Sequence, residues 1–297
     1  MKIGFSMTKC YLKLLIAFLF LLLCSKQLIA SPQEPDYIIY KNDTIATYNL
    51  ILEAYLQEKN PEETKLFGLS FRNTLKNDSR SMDCWRGYQA IYEIENDSLF
   101  LSYIIECGTI KKINKKKSDK NLHTLFGNQV KNKKVFIDWF SGDISFPQKS
   151  EDKQNKVIRW DEIFYRIYEL ETVISISNGK VLKIENVENY VDDPERINRK
   201  NKEQIPDILF EELKNVKWEI LDISCFGNYS ITIDKNGNVS NVKRLFLPEN
   251  IECINTIYNA LKELKFDIIK DKGKPISEDI LIEIWITKEG KIENWTR

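Results

Sequence analysis

Between Trp85 and Tyr103 apolar and polar residues alternate with a period of two. Tyr88, Ala90, Tyr92 and Ile94 share one face, and Leu99, Leu101 and Tyr103 return after Glu95-Asn96-Asp97. That spacing predicts an antiparallel hairpin. Residues 37–40 and 44–48 predict an earlier one around Lys41-Asn42-Asp43. Asn49 is then placed to cap a helix built on Leu50, Ile51, Ala54 and Tyr55 and closed by Asn60-Pro61. Residues 135–144 predict a strand running into a glycine turn at Gly142. Residues 167–176 and 181–187 make a further hairpin around Asn178-Gly179, and Asn-Gly is the strongest short hairpin signal.

The C-terminal third changes pattern. Residues 229–234 alternate as a strand, Asn236-Gly237 turns it, and Val239, Val242 and Leu245 run back. Pro248 precedes a stripe of Ile251, Ile254, Ile257, Tyr258, Leu261 and Leu264 at helical spacing. After a turn at Lys272-Gly273-Lys274-Pro275, Ile280, Ile282, Ile284 and Ile286 form one face of a strand. Leu281, Glu283 and Trp285 form the other. The expected fold class is α+β: a β-rich middle domain of antiparallel hairpins over 36–190 and a β-β-α-β domain over 204–286. The polar stretch 191–203 reads as a linker, and 287–297 as a polar tail.

The N-terminus reads as an export signal over 1–30. Lys2, Lys9 and Lys13 precede an unbroken apolar run of 11 residues from Leu14 to Cys24, and no Asp or Glu occurs before Glu34. The run falls short of the roughly 20 residues a spanning helix needs, and cleavage is expected after Ala30. Two alternatives remain: lipidation at Cys24, against which Leu23 counts, and an uncleaved anchor with Lys13 snorkelling. The expected location is the periplasm or envelope, with membrane contact only through an uncleaved N-terminal segment.

Export alters the meaning of composition. Loss of Lys2, Lys9, Lys13 and Lys26 takes the balanced 44 basic and 44 acidic residues to a net charge near −4, which argues against nucleic-acid binding. Cys84, Cys107, Cys225 and Cys253 remain, and an even count in an oxidising compartment predicts disulfides. Opposite positions of the 85–103 hairpin sum to about 191–193, so Cys84 and Cys107 meet at its open end. Cys253 sits at the margin of the helical stripe, within reach of Cys225. No metal-ligand spacing occurs and His123 is the single histidine, so neither a metal nor a cofactor is expected. The Lys111, Lys112, Lys115, Lys116 and Lys117 run reads as a solvated loop. Asp138, Asp143 and Glu162 offer carboxylates for a hydrolase of the middle domain. No nucleophile elbow or phosphate loop accompanies them, so a non-enzymatic protein is the primary expectation.

Two resemblances add to this. Trp85-Arg86-Gly87-Tyr88-Gln89-Ala90, with Asp138-Trp139-Phe140-Ser141-Gly142 and Pro147, resembles a family of exported Bacteroidetes proteins with no assigned activity; it implies a domain and no function. The second is carried by Asp234-Lys235-Asn236-Gly237-Asn238-Val239, the Ala260-Leu261 to Lys265-Phe266 helix end, Gly273-Lys274-Pro275-Ile276 and the final apolar strand. Together these resemble the TonB C-terminal domain. That family pairs a sheet edge with an extended segment of an outer-membrane receptor, a case of β-augmentation. The resemblance implies a protein partner in the envelope. The apolar run Ile280, Leu281, Ile282, Glu283, Ile284, Trp285 and Ile286, followed by a polar tail, is the edge candidate to meet it; its rival is an internal strand whose isoleucines fill the core under the helix. An anchored, TonB-like transducer of receptor transport is the alternative. Against it, the chain has eight scattered prolines and no Pro-rich spacer, and Ile205-Pro206 stands where the family often has Tyr-Pro.

Overall fold

A computed structural model describes residues 32–59, 83–149, 155–161, 163–218, 225–287 and 290–296. The export signal, the Asn60-Pro61 stop and Glu162 lie outside the described residues. The fold is α+β and rich in strands.

The first sheet has eight strands. Hydrogen-bonded neighbours run β2 (Asp43–Thr47), β1 (Asp36–Tyr40), β3 (Gln89–Glu95), β4 (Ser98–Ile105), β10 (Lys180–Glu188), β9 (Leu170–Ser177) and β6 (Gly142–Pro147). The short β5 (Val135–Phe136) pairs with β4. Three of the expected hairpins are present as β1–β2, β3–β4 and β9–β10. Their turns have positive φ at Lys41 and Asn42, at Asn96 and Asp97, and at Asn178 and Gly179, as twist-matched two-residue turns require. Gly179 is held to glycine twice over, because a Cβ there would also collide with the Ile137 carbonyl.

Local sequence does not announce the parallel pairing of β1 with β3, Ile38 facing Tyr92. A buried polar cluster fixes it. Arg86 donates to the Asp36 carboxylate at 2.7 Å and to the Glu34 carbonyl. The second Asp36 oxygen accepts from the Tyr92 hydroxyl, and Tyr88 donates to Glu53 at 2.6 Å. Arg86, Asp36, Tyr88, Tyr92 and Glu53 are all buried. Burial alone would discharge Arg86, but the Asp36 carboxylate against it holds its pKa above the usual arginine value.

Two helices fill the concave face of this sheet: α1 (Ile51–Lys59) and α2 (Lys115–Phe126). Their Ile51, Leu52, Leu56, Leu122 and Phe126 pack with Ile38, Ala90, Leu99, Leu101 and Ile174. Four expectations need correction here. Asn49 is a tether rather than the helix cap: its amide donates to the Asp143 carbonyl, and its oxygen accepts from Thr47. The lysine run is only partly loop, since Asn114 caps the Lys117 amide and Lys115 begins α2. Ser118, Asn121, Leu122 and Phe126 turn inward while the lysines face water. Residues 135–144 fall in two strands, β5 and β6, separated by the non-strand stretch 137–141. In the β3–β4 hairpin a bulge at Ser102, opposite the Ile91–Tyr92 step, moves the register by one step, so that Gln89 faces Ile105.

The second sheet is open and four-stranded, in the order β12 (Val239–Leu245), β11 (Gly227–Ile233), β15 (Glu278–Ile286) and β16 (Ile292–Asn294), and the short hairpin of β13 (Lys270–Asp271) and β14 (Lys274–Pro275) lies outside it. Two helices cover one face, α3 (Ile205–Leu213) and α4 (Ile251–Leu261). Ile205, Leu209 and Leu213 of α3 and Cys253, Ile257 and Leu261 of α4 close over Tyr229, Ile231, Ile280, Ile282, Ile284 and Ile286. Helix α3 has Pro206 in its first turn, where a missing amide costs nothing. Ile251 leaves the predicted stripe and is exposed. Residues 292–294, read as polar tail, are a strand.

The 191–203 segment is docked between the sheets. Ile197 bridges Phe266, and Tyr190 bridges Ile269 and donates to the Asp267 carboxylate. Arg199, fully buried, gives its Nε hydrogen to the Asp267 carbonyl. Asn189 ties both sides: its amide donates to the Tyr168 carbonyl and Glu171, and its oxygen accepts from the Gly273 amide. The hairpin of β7 (Val157–Trp160) and β8 (Arg166–Tyr168) completes the junction. Arg159 forks onto Glu278 at 2.5 and 2.7 Å, and Ile158, Ile167, Tyr190 and Ile269 form a small apolar cluster. The segment is polar because its side chains pair here.

Candidate functional site

Cys84 is bonded to Cys107 and Cys225 to Cys253. Two disulfides suggest an oxidising, extracytoplasmic compartment, and no described helix is long and apolar enough to cross a membrane. Each bond lies at the root of a sheet. Cys84–Cys107 closes the open end of β3–β4, and Cys225–Cys253 joins the start of β11 to α4.

The candidate carboxylates have other employment. Asp143 accepts from Ser175 at 2.7 Å and lies 3.6 Å from Lys274, while Asp138 is exposed. His123 is on the surface beside Asp119. Among the described residues no group of three or more His, Cys, Asp or Glu could hold a metal ion.

The residues of strand 280–286 divide by parity. Ile280, Ile282, Ile284 and Ile286 are buried under α3 and α4, and Leu281, Glu283 and Trp285 face away from the helices. The backbone divides the same way, since both groups of one residue point to the same edge in an antiparallel ladder. Along the edge away from β11, the Glu283 carbonyl accepts from the Trp295 amide and the Glu283 amide donates to Thr296 Oγ1. Trp285 faces Glu293. By the same alternation, the amide and carbonyl of Asp279 and Leu281 point outward, and among the described residues no strand pairs with them. β15 is therefore an internal strand over residues 284–286 and an edge over residues 279–282.

The two outer edges of this sheet differ in chemistry. β12 carries a bulge opposite Ile233 and displays Ser240, Asn241 and Lys243, features that discourage further pairing. Along β15 the uncovered face alternates Asp279 and Glu283 with the apolar Leu281 and Trp285. Leu281 is 60% exposed, and the Phe226, Trp285 and Trp295 rings form a row with centroids 5.3 and 5.5 Å apart. Phe226, Trp295 and Thr296 were not singled out from sequence. The alternation of Ile292 with Glu293 after Gly290 was the signal available for β16.

No protein-family model matches the chain, and neither a curated protein nor a solved structure does.

Proposed function

We propose that this is an exported, non-enzymatic envelope protein whose C-terminal sheet takes up an extended segment of a partner protein along the outer edge of β15. The observation that carries this reading is the pair of outward backbone positions at Asp279 and Leu281, flanked by Leu281 and Trp285 side chains. An added strand gains main-chain hydrogen bonds from such an edge, and its alternate side chains gain contact with the exposed apolar side chains on this face. The three-residue β16 is short enough for a longer partner strand to displace it.

Substitution at Leu281 tests this cleanly, because its amide points outward and proline there removes no bond to β11. Leu281→Pro is expected to keep circular dichroism and melting while lowering partner recovery from envelope extract at least tenfold. Equal recovery by a folded Leu281→Pro chain would sink the edge-pairing reading. Ile282→Pro serves as the unfolding control, since its amide belongs to the internal ladder facing Tyr229.

A further inference from the structure

The first sheet curls until its two end strands, β2 and β6, come back together. Tyr40 and Phe146 meet at 5.8 Å between ring centroids, and Asn49 reaches the Asp143 carbonyl. Where the seam widens it leaves a cleft of about 240 Å³, walled by Tyr48, Ser145, Phe146, Tyr165, Arg166 and Glu171 among others. That is below the roughly 300–1,000 Å³ of sites for drug-sized ligands, so its occupant is small.

Arg166 is the unusual member of this wall. Arg86, Arg159, Arg196 and Arg199 each have a carboxylate within ion-pair distance. Arg166 has none among the described residues. Its guanidinium lies over the Tyr48 ring at 4.5 Å and the Trp160 ring at 5.1 Å, and it donates to the Tyr48 hydroxyl. Aromatic stacking on a planar guanidinium leaves its edge free to bind an anion. The cation is therefore held in place without being neutralised.

Glu171 limits which anion fits. It is buried in the cleft wall, where it accepts from the Tyr168 amide and the Asn189 side chain, and burial raises its pKa. A dianionic phosphate would bring two negative charges beside this carboxyl and a single guanidinium, whereas a monoanion brings one, so the cleft wall disfavours the phosphate more strongly. Phe146, Pro147 and the tyrosine rings supply an apolar floor. We propose that the seam cleft binds a small organic monocarboxylate with an aromatic or apolar body, its carboxylate on Arg166 and its body against Phe146 and Tyr48. This site is separate from the β15 edge and stands or falls independently of it.

The test titrates the full chain, secreted with its disulfides formed, with phenylacetate, phenylacetamide and phenyl phosphate. Calorimetry gives affinity and amide chemical shifts give position. Phenylacetate is expected to bind at least tenfold tighter than either comparator, with shifts centred on Tyr48, Ser145 and Arg166. Arg166→Gln should weaken it at least tenfold. Ser145→Trp, which fills the cleft and keeps the guanidinium, should do the same, so misfolding of one variant leaves the other to decide. Equal affinity for acid and amide, unchanged binding by either folded variant, or shifts centred outside the seam would overturn the proposal, as would absence of phenylacetate binding.

Discussion

The two sheets meet the problem of exposed strand edges in opposite ways. The N-terminal sheet bends its end strands into contact and ties them with side chains, and it buries an Arg86–Asp36 pair to lock β1 beside β3. The C-terminal sheet stays open and is covered on one face by α3 and α4. Its core is almost wholly apolar, and one edge remains partly unpaired beside exposed aromatic rings. Closure fixes a shape from within; an open edge leaves bonding capacity for something else. The pairing reading therefore belongs to the second sheet, and the first is suited to holding a small ligand in its seam.

The contrast breaks most sharply at Arg86. Arg86→Met strands a buried Asp36 carboxylate, and removing one member of a buried pair costs about 3–5 kcal/mol. Urea unfolding should show that loss, and Arg86→Met with Asp36→Leu should recover much of it. No recovery in the double variant would mean that the pair itself, rather than the stranded charge, sets stability. Next in size are the disulfides. Cys225→Ser with Cys253→Ser should cost about 2–5 kcal/mol, seen as a lower melting temperature that a reducing agent no longer shifts at that bond.

Glu278 sharpens the comparison, because it ties the C-terminal sheet to the β7–β8 hairpin and the connecting segment at the junction. Burial alone would raise its carboxyl, but hydrogen bonds and charge from Arg159, with Lys202 and Arg199, hold it below the ordinary glutamate range. A folded-state value below the unfolded one gives a contribution that is whole above about pH 4.3 and lost as pH falls through the folded value. Glu278→Gln should thus cost about 1.5–3 kcal/mol near neutrality, and its difference from wild type should shrink in acid. A difference that is constant with pH would separate Glu278 from the acid limb. The smallest expected effect comes from ending the chain at Thr287. Loss of β16 should cost about 1–2 kcal/mol, yet self-association by light scattering should rise as all of β15 becomes an edge.

Hairpins and the C-terminal helix were legible because each is encoded within a few residues: Asn-Gly at 178–179 and 236–237, period-two faces at 88–94 and 280–286, and helical spacing at 254–261. Long-range choices were not. Nothing near Ile38 says that it lies parallel to Tyr92, since Arg86 and Asp36 make that pairing across 50 residues. Helix α2 was hidden by lysines whose charge suits either a loop or a solvated helix face. Helix α3 carried Pro206 and Ile205, Leu209 and Leu213 at helical spacing, yet it opens a region, 204–286, where only the order β-β-α-β was expected. The seam cleft draws Tyr48, Ser145 and Arg166 from three separate strands or their ends, and no local pattern joins them.

The docking of 191–203 reaches into how the molecule is degraded. Arg196, Arg199, Lys200 and Lys202 make it, on paper, an easy target for a protease that cuts after basic residues. In the folded chain Arg199 is wholly enclosed, and the Ile197 backbone is hydrogen-bonded on both sides, to Lys265 and Asp267. A protease needs an extended, free stretch, so cutting here must wait for the junction to open. The rate of cleavage in this segment then becomes a clock for separation of the two sheets, slowed by whatever holds Arg159 on Glu278.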